Sequence, residues 1–228
     1  MIRRLTLFAG HYGSGKTNIA VNYAAYLRKQ GFAVTIADLD IVNPYFRTKD
    51  SEKLLNSLGI DLICSPFANS NLDVPAMPAE VYSLIDSRTT HGVLDIGGDD
   101  RGALALGRYA PMIKEENDYE MLFVINRSRP LTRSVEETLH VMREIETACS
   151  LPFTAVVNNT NLGRHTTKED ILASLDYAKG VCKASGLPLK MTTIHHPLYS
   201  ELQSHMNDLF PIHLQEQYYE LRTEATHG

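Results

Sequence analysis

The chain has 228 residues, of which 43% are hydrophobic and 21% charged, enough to bury the core of a globular domain. A net charge of −5 and a pI near 6.0 argue against a broad basic surface for nucleic acid or anionic lipid. No apolar run approaches the roughly 20 residues that cross a bilayer, and Met1-Ile2-Arg3-Arg4 leads on without a cleavage signal. The composition thus predicts a single cytoplasmic domain over residues 1–228, with neither nucleic acid nor membrane as partner.

Strands are expected near 4–9, 33–38, 60–64, 92–97, 120–125, 153–158 and 190–195, with helices between them. Most are continuous apolar runs, such as Met121 to Ile125 and Phe153 to Val157, the pattern of strands covered on both faces. The fold class is therefore α/β: a doubly wound, mostly parallel sheet of about seven strands with helices on both faces. In such sheets ligands bind beyond the carboxyl ends of the strands.

The first of those ends carries Gly10-His11-Tyr12-Gly13-Ser14-Gly15-Lys16-Thr17, which fits G-x-x-x-x-G-K-[ST]. An apolar strand precedes it, and apolar groups at helical spacing follow from Thr17 to Gln30, with Gly31 ending the helix. Glycines let backbone N–H groups approach crowded phosphate oxygens, and the helix adds its positive end. Lys16 then offers an ammonium to the β- and γ-phosphates, and the Thr17 hydroxyl can ligate Mg2+.

After the second strand, Asp38 and Asp40 emerge two residues apart on one side of an extended segment. Asp40 is the candidate to orient an attacking water and Asp38 a second catalytic carboxylate; a solvated acidic loop is the plainer reading. Ser65 to Pro78 is rich in turn formers and suits a docking or substrate-covering loop. The fourth strand runs into Asp95-Ile96-Gly97-Gly98, a Walker B-like end at which Asp95 could hold Mg2+ through water and the Gly97 N–H could sense the γ-phosphate. Asp99 and Asp100 read as solvated.

Two capping boxes are expected, Ser134 with Glu137 and Thr166 with Glu169. Between them Asn158-Asn159-Thr160-Asn161 occupies the place of a base-recognition loop. Where guanine readers carry N-K-x-D, this chain has Asn161, and an amide that both donates and accepts suits adenine; the backbone near Pro197 can contribute, and a polar turn is the alternative. Cys64, Cys149 and Cys182 are scattered without a C-x-x-C pair, and His195-His196, ending a strand, points to opposite faces.

Taken together, Gly10–Thr17, Ala37-Asp38-Leu39-Asp40, Leu94-Asp95-Ile96-Gly97-Gly98, Asn158 and Pro197 resemble the MinD/ParA/CobQ-CobB-type branch of P-loop nucleotide-binding proteins, of the SIMIBI class, over nearly the whole chain. The resemblance implies Asp40 as hydrolytic switch residue and an ATP-dependent dimer whose hydrolysis positions a protein partner. One departure stands inside the loop: the family's signature Lys is His11 here and a glycine is Tyr12, so fixed charge toward a second subunit is missing and slow or partner-dependent hydrolysis is expected. Arg47, Arg101, Arg127 and Arg129 follow strands or switch-like loops and can replace it. The C-terminal stretch from Leu214 to Arg222 lacks the lysine-rich face of a membrane-targeting helix. Three functions fit: a Mg-ATP-dependent switch or maturation ATPase for an unidentified protein partner; an ATP-dependent carboxylate-activating enzyme like dethiobiotin or cobyrinate synthetases; and a nucleotide sensor that does not hydrolyse.

Overall fold

The computed structural model describes residues 2–40, 48–64, 79–98 and 100–215. Arg47, the Ser65–Pro78 segment, Asp99, the side chains of Asp100 and Arg101, and the chain beyond Gln215 lie outside the described residues.

Strand and helix alternate as the apolar runs predict. The strands are β1 (Leu5–Ala9), β2 (Val34–Leu39), β3 (Asp61–Cys64), β4 (His91–Ile96), β5 (Tyr119–Ile125), β6 (Ala155–Asn158), β7 (Leu189–His195) and β8 (Leu209–Ile212). They form one sheet in the order β3-β2-β4-β1-β5-β6-β7-β8, with every neighbouring pair parallel. The sheet thus has eight strands rather than about seven. The additional one, β8, is a four-residue edge strand with Pro211 in it, and proline is ordinarily a mark against strand.

The helices are α1 (Lys16–Lys29), α2 (Glu52–Ser57), α3 (Ala79–Asp86), α4 (Asp100–Gly107), α5 (Ala110–Glu116), α6 (Val135–Cys149), α7 (Lys168–Ser185) and α8 (Tyr199–Leu202). Because side chains alternate along a strand, Leu5, Leu7 and Ala9 of β1 pack with α3 to α7, and Phe8 packs with α1 and α2 on the other face. Both layers are built of buried apolar side chains, so the sheet is covered as a parallel sheet must be.

Helix ends follow local chemistry. In α6 the Ser134 hydroxyl accepts from Glu137 N–H while the Glu137 carboxylate accepts from Ser134 N–H, the expected reciprocal cap. The second box sits one residue later than expected: Thr167 pairs with Asp170. Thr166 is occupied by the preceding turn, accepting from Leu162 N–H at 2.8 Å and donating to Gly163 O at 2.7 Å.

Polar groups are buried at the end of the sheet away from the phosphate-binding loop. Glu120, at the start of β5, accepts from Lys190 Nζ at 2.6 Å and from the Tyr23 hydroxyl at 3.2 Å, tying β5, β7 and α1 together. The burial and the neighbouring carboxylate push the Tyr23 phenol above its ordinary range. Arg4 forms a buried fork with Glu116 and also donates to the carbonyls of Leu84, Ile85 and Thr90. Arg88 approaches the same carboxylate at 3.1 Å from the exposed side.

Candidate functional site

The loop between β1 and α1 is shaped by its glycines. A Cβ on Gly10 would stand 2.4 Å from Val124 O, and one on Gly15, whose φ is +91°, would stand 2.2 Å from Asn159 Nδ2. Neither position accepts a side chain, the first for space and the second also for backbone conformation. Ser14 N–H donates to His11 O at 3.1 Å, closing the loop, and Lys16 Nζ reaches the same carbonyl at 3.3 Å. Ser14 Oγ is buried with no hydrogen-bond partner among the described residues. Tyr12 projects outward, 55% exposed. Gly13 has φ +74°. The helix begins at Lys16 with Gly15 as its cap and no side chain closing its first turn.

Three carboxylates gather beside Lys16, which is buried. Asp38 and Asp95 are cross-strand partners in the β2–β4 register, and Asp40 N–H donates to Asp38 Oδ1 at 3.0 Å. All three are buried. Burial, and then the Asp38 charge, push the Asp95 carboxyl up to about 7; Asp40 adds to this, and Lys16 and the Thr17 hydroxyl oppose it. Asp95 Oδ2 accepts from the Thr48 hydroxyl at 3.0 Å, while Oδ1 is buried with no hydrogen-bond partner among the described residues. An orphaned oxygen on a crowded carboxylate next to Thr17 fits a divalent cation. Among the described residues no three His, Cys, Asp or Glu side chains are grouped to hold a metal by themselves.

The raised Asp95 carboxyl has a thermodynamic consequence. Unfolded, the group loses its proton near 3.8, but folded it holds the proton to about 7. The folded state therefore binds more protons between those values, and its stability from this group, full below about pH 4, is lost as pH rises toward 7. Thermal melts of metal-free wild type and Asp95→Asn across this window should show the variant gaining on wild type as pH rises. A difference in melting temperature that stays flat with pH would sink the assignment.

The Gly97–Gly98 turn after β4 closes on the loop. A Cβ on Gly98 would lie 2.7 Å from Tyr12 N and 2.9 Å from Lys16 Nζ, and one on Gly102 of α4 would meet Gly97 Cα at 2.7 Å. The backbone of this switch-like segment thus touches the phosphate-binding loop directly.

The candidate base loop follows β6. Asn158 is fully buried and turned into the fold: Nδ2 donates to Ser174 Oγ at 2.8 Å, and Oδ1 accepts from the Thr160 hydroxyl at 2.9 Å. Asn159, which the sequence reading did not single out, donates to Ser14 O at 2.6 Å and accepts from the Thr193 hydroxyl, bridging the phosphate loop to β7. Asn161 donates to Asn159 O at 2.8 Å and accepts from Gly163 N–H at 3.1 Å. Pro197 lies in the 3-10 turn after β7, beside His196, whose ring stacks on that of His213 at 4.8 Å. His11 is half-buried; burial and Lys16 lower its basicity, with Glu144 opposing, which favours a neutral imidazole. Of the arginines after strands, Arg127 Nη1 donates to Ala173 O in α7 at 3.1 Å, and Arg129 lies against Gly13.

The Walker-type loop, the eight-stranded parallel sheet and the acidic strand ends define a P-loop nucleotide-binding domain of the SIMIBI class. Residues 5–180 match the CobQ/CobB/MinD/ParA nucleotide binding domain, and the chain belongs to that family. No curated protein sequence matches the chain significantly. Among solved structures, the fold is similar to FtsY from Mycoplasma mycoides, with TM-score 0.59 and 18% identity over 85% of this chain and 60% of that one. It is similar as well to the cell division protein FtsY of Thermotoga maritima, with TM-score 0.60 and 18% identity over 83% of this chain and 61% of that one. A third is the signal recognition particle 54 kDa protein of Aeropyrum pernix in complex with GDP, with TM-score 0.55 and 17% identity over 82% and 40%. The chain spans about 60% or less of each of these proteins, and at such identities the likeness is one of fold. No helix among the described residues is long and apolar enough to cross a membrane.

Proposed function

We propose that this P-loop domain binds Mg-ATP and acts as a slow ATPase whose nucleotide state switches a protein partner. The observation that carries the choice of ATP is the loop Asn158-Asn159-Thr160-Asn161: it is pinned to Ser14 by Asn159 and holds no carboxylate. Guanine presents two adjacent N–H donors that an acidic side chain would satisfy, whereas adenine pairs an acceptor with a donor. Slow turnover is supported by His11, which carries little fixed charge at neutral pH.

In this reading Gly10 to Gly15 and the start of α1 cradle the phosphates, Lys16 pairs with them, and Thr17 and Asp95 hold magnesium. Bound there, the ion supplies charge neutralisation at the phosphates. Asp38 and Asp40 are the carboxylates placed to position water, and the Gly97 backbone is the segment that responds to the γ-phosphate. Asn161 and the turn at Pro197 border the base. The domain spans residues 1–228 as one cytoplasmic unit able to form a homodimer, with neither nucleic acid nor membrane among its partners.

Calorimetric titration with Mg-ATP, Mg-ADP and Mg-GTP, followed by phosphate release assays, tests this directly. Preference for ATP over GTP by about tenfold or more, with turnover well below the ~10 s⁻¹ median of enzymes, is the expected result. Equal or tighter GTP binding would overturn the ATP assignment. Hydrolysis accelerated by a carboxylic acid metabolite would replace the switch with a carboxylate-activating enzyme.

A further inference from the structure

The Arg129 side chain lies over the phosphate loop with no hydrogen-bond partner among the described residues. A Cβ placed on Gly13 would stand 3.6 Å from Arg129 Nε, 3.7 Å from its Cδ and 3.9 Å from its Cζ, so the end of this side chain rests on the loop backbone. The side chain is exposed, and its donors make no hydrogen bond to the described residues. Its neighbour Arg127, by contrast, is spent on Ala173 O.

The turn that carries Arg129 is rigid. Arg129 N–H donates to Asn126 O at 3.1 Å, the Thr132 hydroxyl donates to the same carbonyl at 2.8 Å, and Ser128 N–H donates to Asn126 Oδ1 at 3.0 Å. Arg127 N–H is held by Thr160 Oγ1 at 3.2 Å, and Tyr177 donates to Thr132 O at 2.8 Å. Leu131 takes a positive φ of 62° within this web. Such over-determination around an exposed arginine presets where its guanidinium can reach.

We propose that Arg129 is an outer phosphate clamp: its guanidinium binds the terminal phosphates of a nucleotide held by the loop of the same chain. The planar fork can meet two phosphate oxygens at once, which a point charge cannot. The assignment rests on the nucleotide reading above; Gly13 is glycine for its φ of +74°, and a Cβ there would meet the arginine at ordinary contact distance.

The test uses the full chain and its Arg129→Ala, Arg129→Lys, Arg133→Ala and Lys16→Ala variants, titrated with Mg-ATP and Mg-ADP over a range of KCl concentrations. Arg133→Ala, in the same segment, controls for net charge. Arg129→Ala should weaken Mg-ATP about tenfold and Mg-ADP less, with a shallower salt dependence and an unchanged melting temperature, and Arg129→Lys should recover part of the loss. If Arg129→Ala matches Arg133→Ala within about twofold while Lys16→Ala loses binding, the clamp is wrong and the nucleotide reading stands. If wild type binds neither nucleotide, both fall. A loss seen only at concentrations where light scattering shows a dimer would overturn the same-chain assignment.

Discussion

Replacing Lys16 by Ala is expected to cost Mg-ATP binding about 100-fold or more. The ammonium is buried, beside three carboxylates and within reach of the His11 carbonyl, so it is fixed in direction before any ligand arrives. Two charge-assisted hydrogen bonds to phosphate, at roughly 1.5–3 kcal/mol each, give about 3–6 kcal/mol, or roughly 100-fold to 10⁴-fold in affinity. A second effect runs the same way. Without the cation, Asp38, Asp40 and Asp95 face an incoming polyphosphate unscreened, and Asp95 holds its proton to higher pH, weakening it for magnesium. Calorimetry of the purified variant, with a melt to show that it is folded, measures the loss. Affinity within about threefold of wild type would remove Lys16 from the phosphate site.

Arg4→Met should produce the largest loss of stability, about 3–5 kcal/mol, with nucleotide affinity per folded molecule unchanged. The side chain sits far from the phosphate loop and joins three elements: it neutralises the buried Glu116 at the end of α5 and satisfies the carbonyls of Leu84, Ile85 and Thr90 around the end of α3. Deleting it leaves a buried carboxylate that, among the described residues, faces the exposed Arg88 as its remaining cation, and removes the donor from three carbonyls. The double variant Arg4→Met/Glu116→Leu should recover part of the loss, because no uncompensated charge remains, but not all, because the carbonyls stay unpaired. Urea unfolding of the two variants separates these contributions. A double variant no more stable than Arg4→Met would show that the charge is not what matters.

The phosphate loop was legible because every part of its signal is local: a strand, a glycine-spaced loop and a helix in 30 consecutive residues. The other seven strands were legible for a related reason, since most of them are apolar runs that can be identified without knowledge of neighbours. β8 was not, because four residues around a proline carry no periodic signal. Near residue 166 two threonines and two acids stand in tandem, so the spacing fits two capping boxes, and only the turn at Gly163 decides between them. Asn159 escaped notice for want of a distance. Pattern matching points at Asn158 and Asn161, but the contact to Ser14 spans 145 positions. The Thr48–Asp95 bond, the Asp38–Asp95 pairing and the approach of Arg129 to Gly13 are likewise products of strand order, which no local pattern encodes.

The proline in β8 has a bearing on how copies of this chain can meet. Pro211 stands third in a four-residue edge strand and has no N–H to offer a neighbour, so the sheet ends there in a backbone unfit to template another strand. Growth of the sheet across that edge, the usual route from an open parallel sheet to a ribbon of subunits or an aggregate, is closed by one residue. Self-association on this side of the molecule is thereby steered toward surfaces built of side chains and loops, where it can be made conditional on what the loops hold.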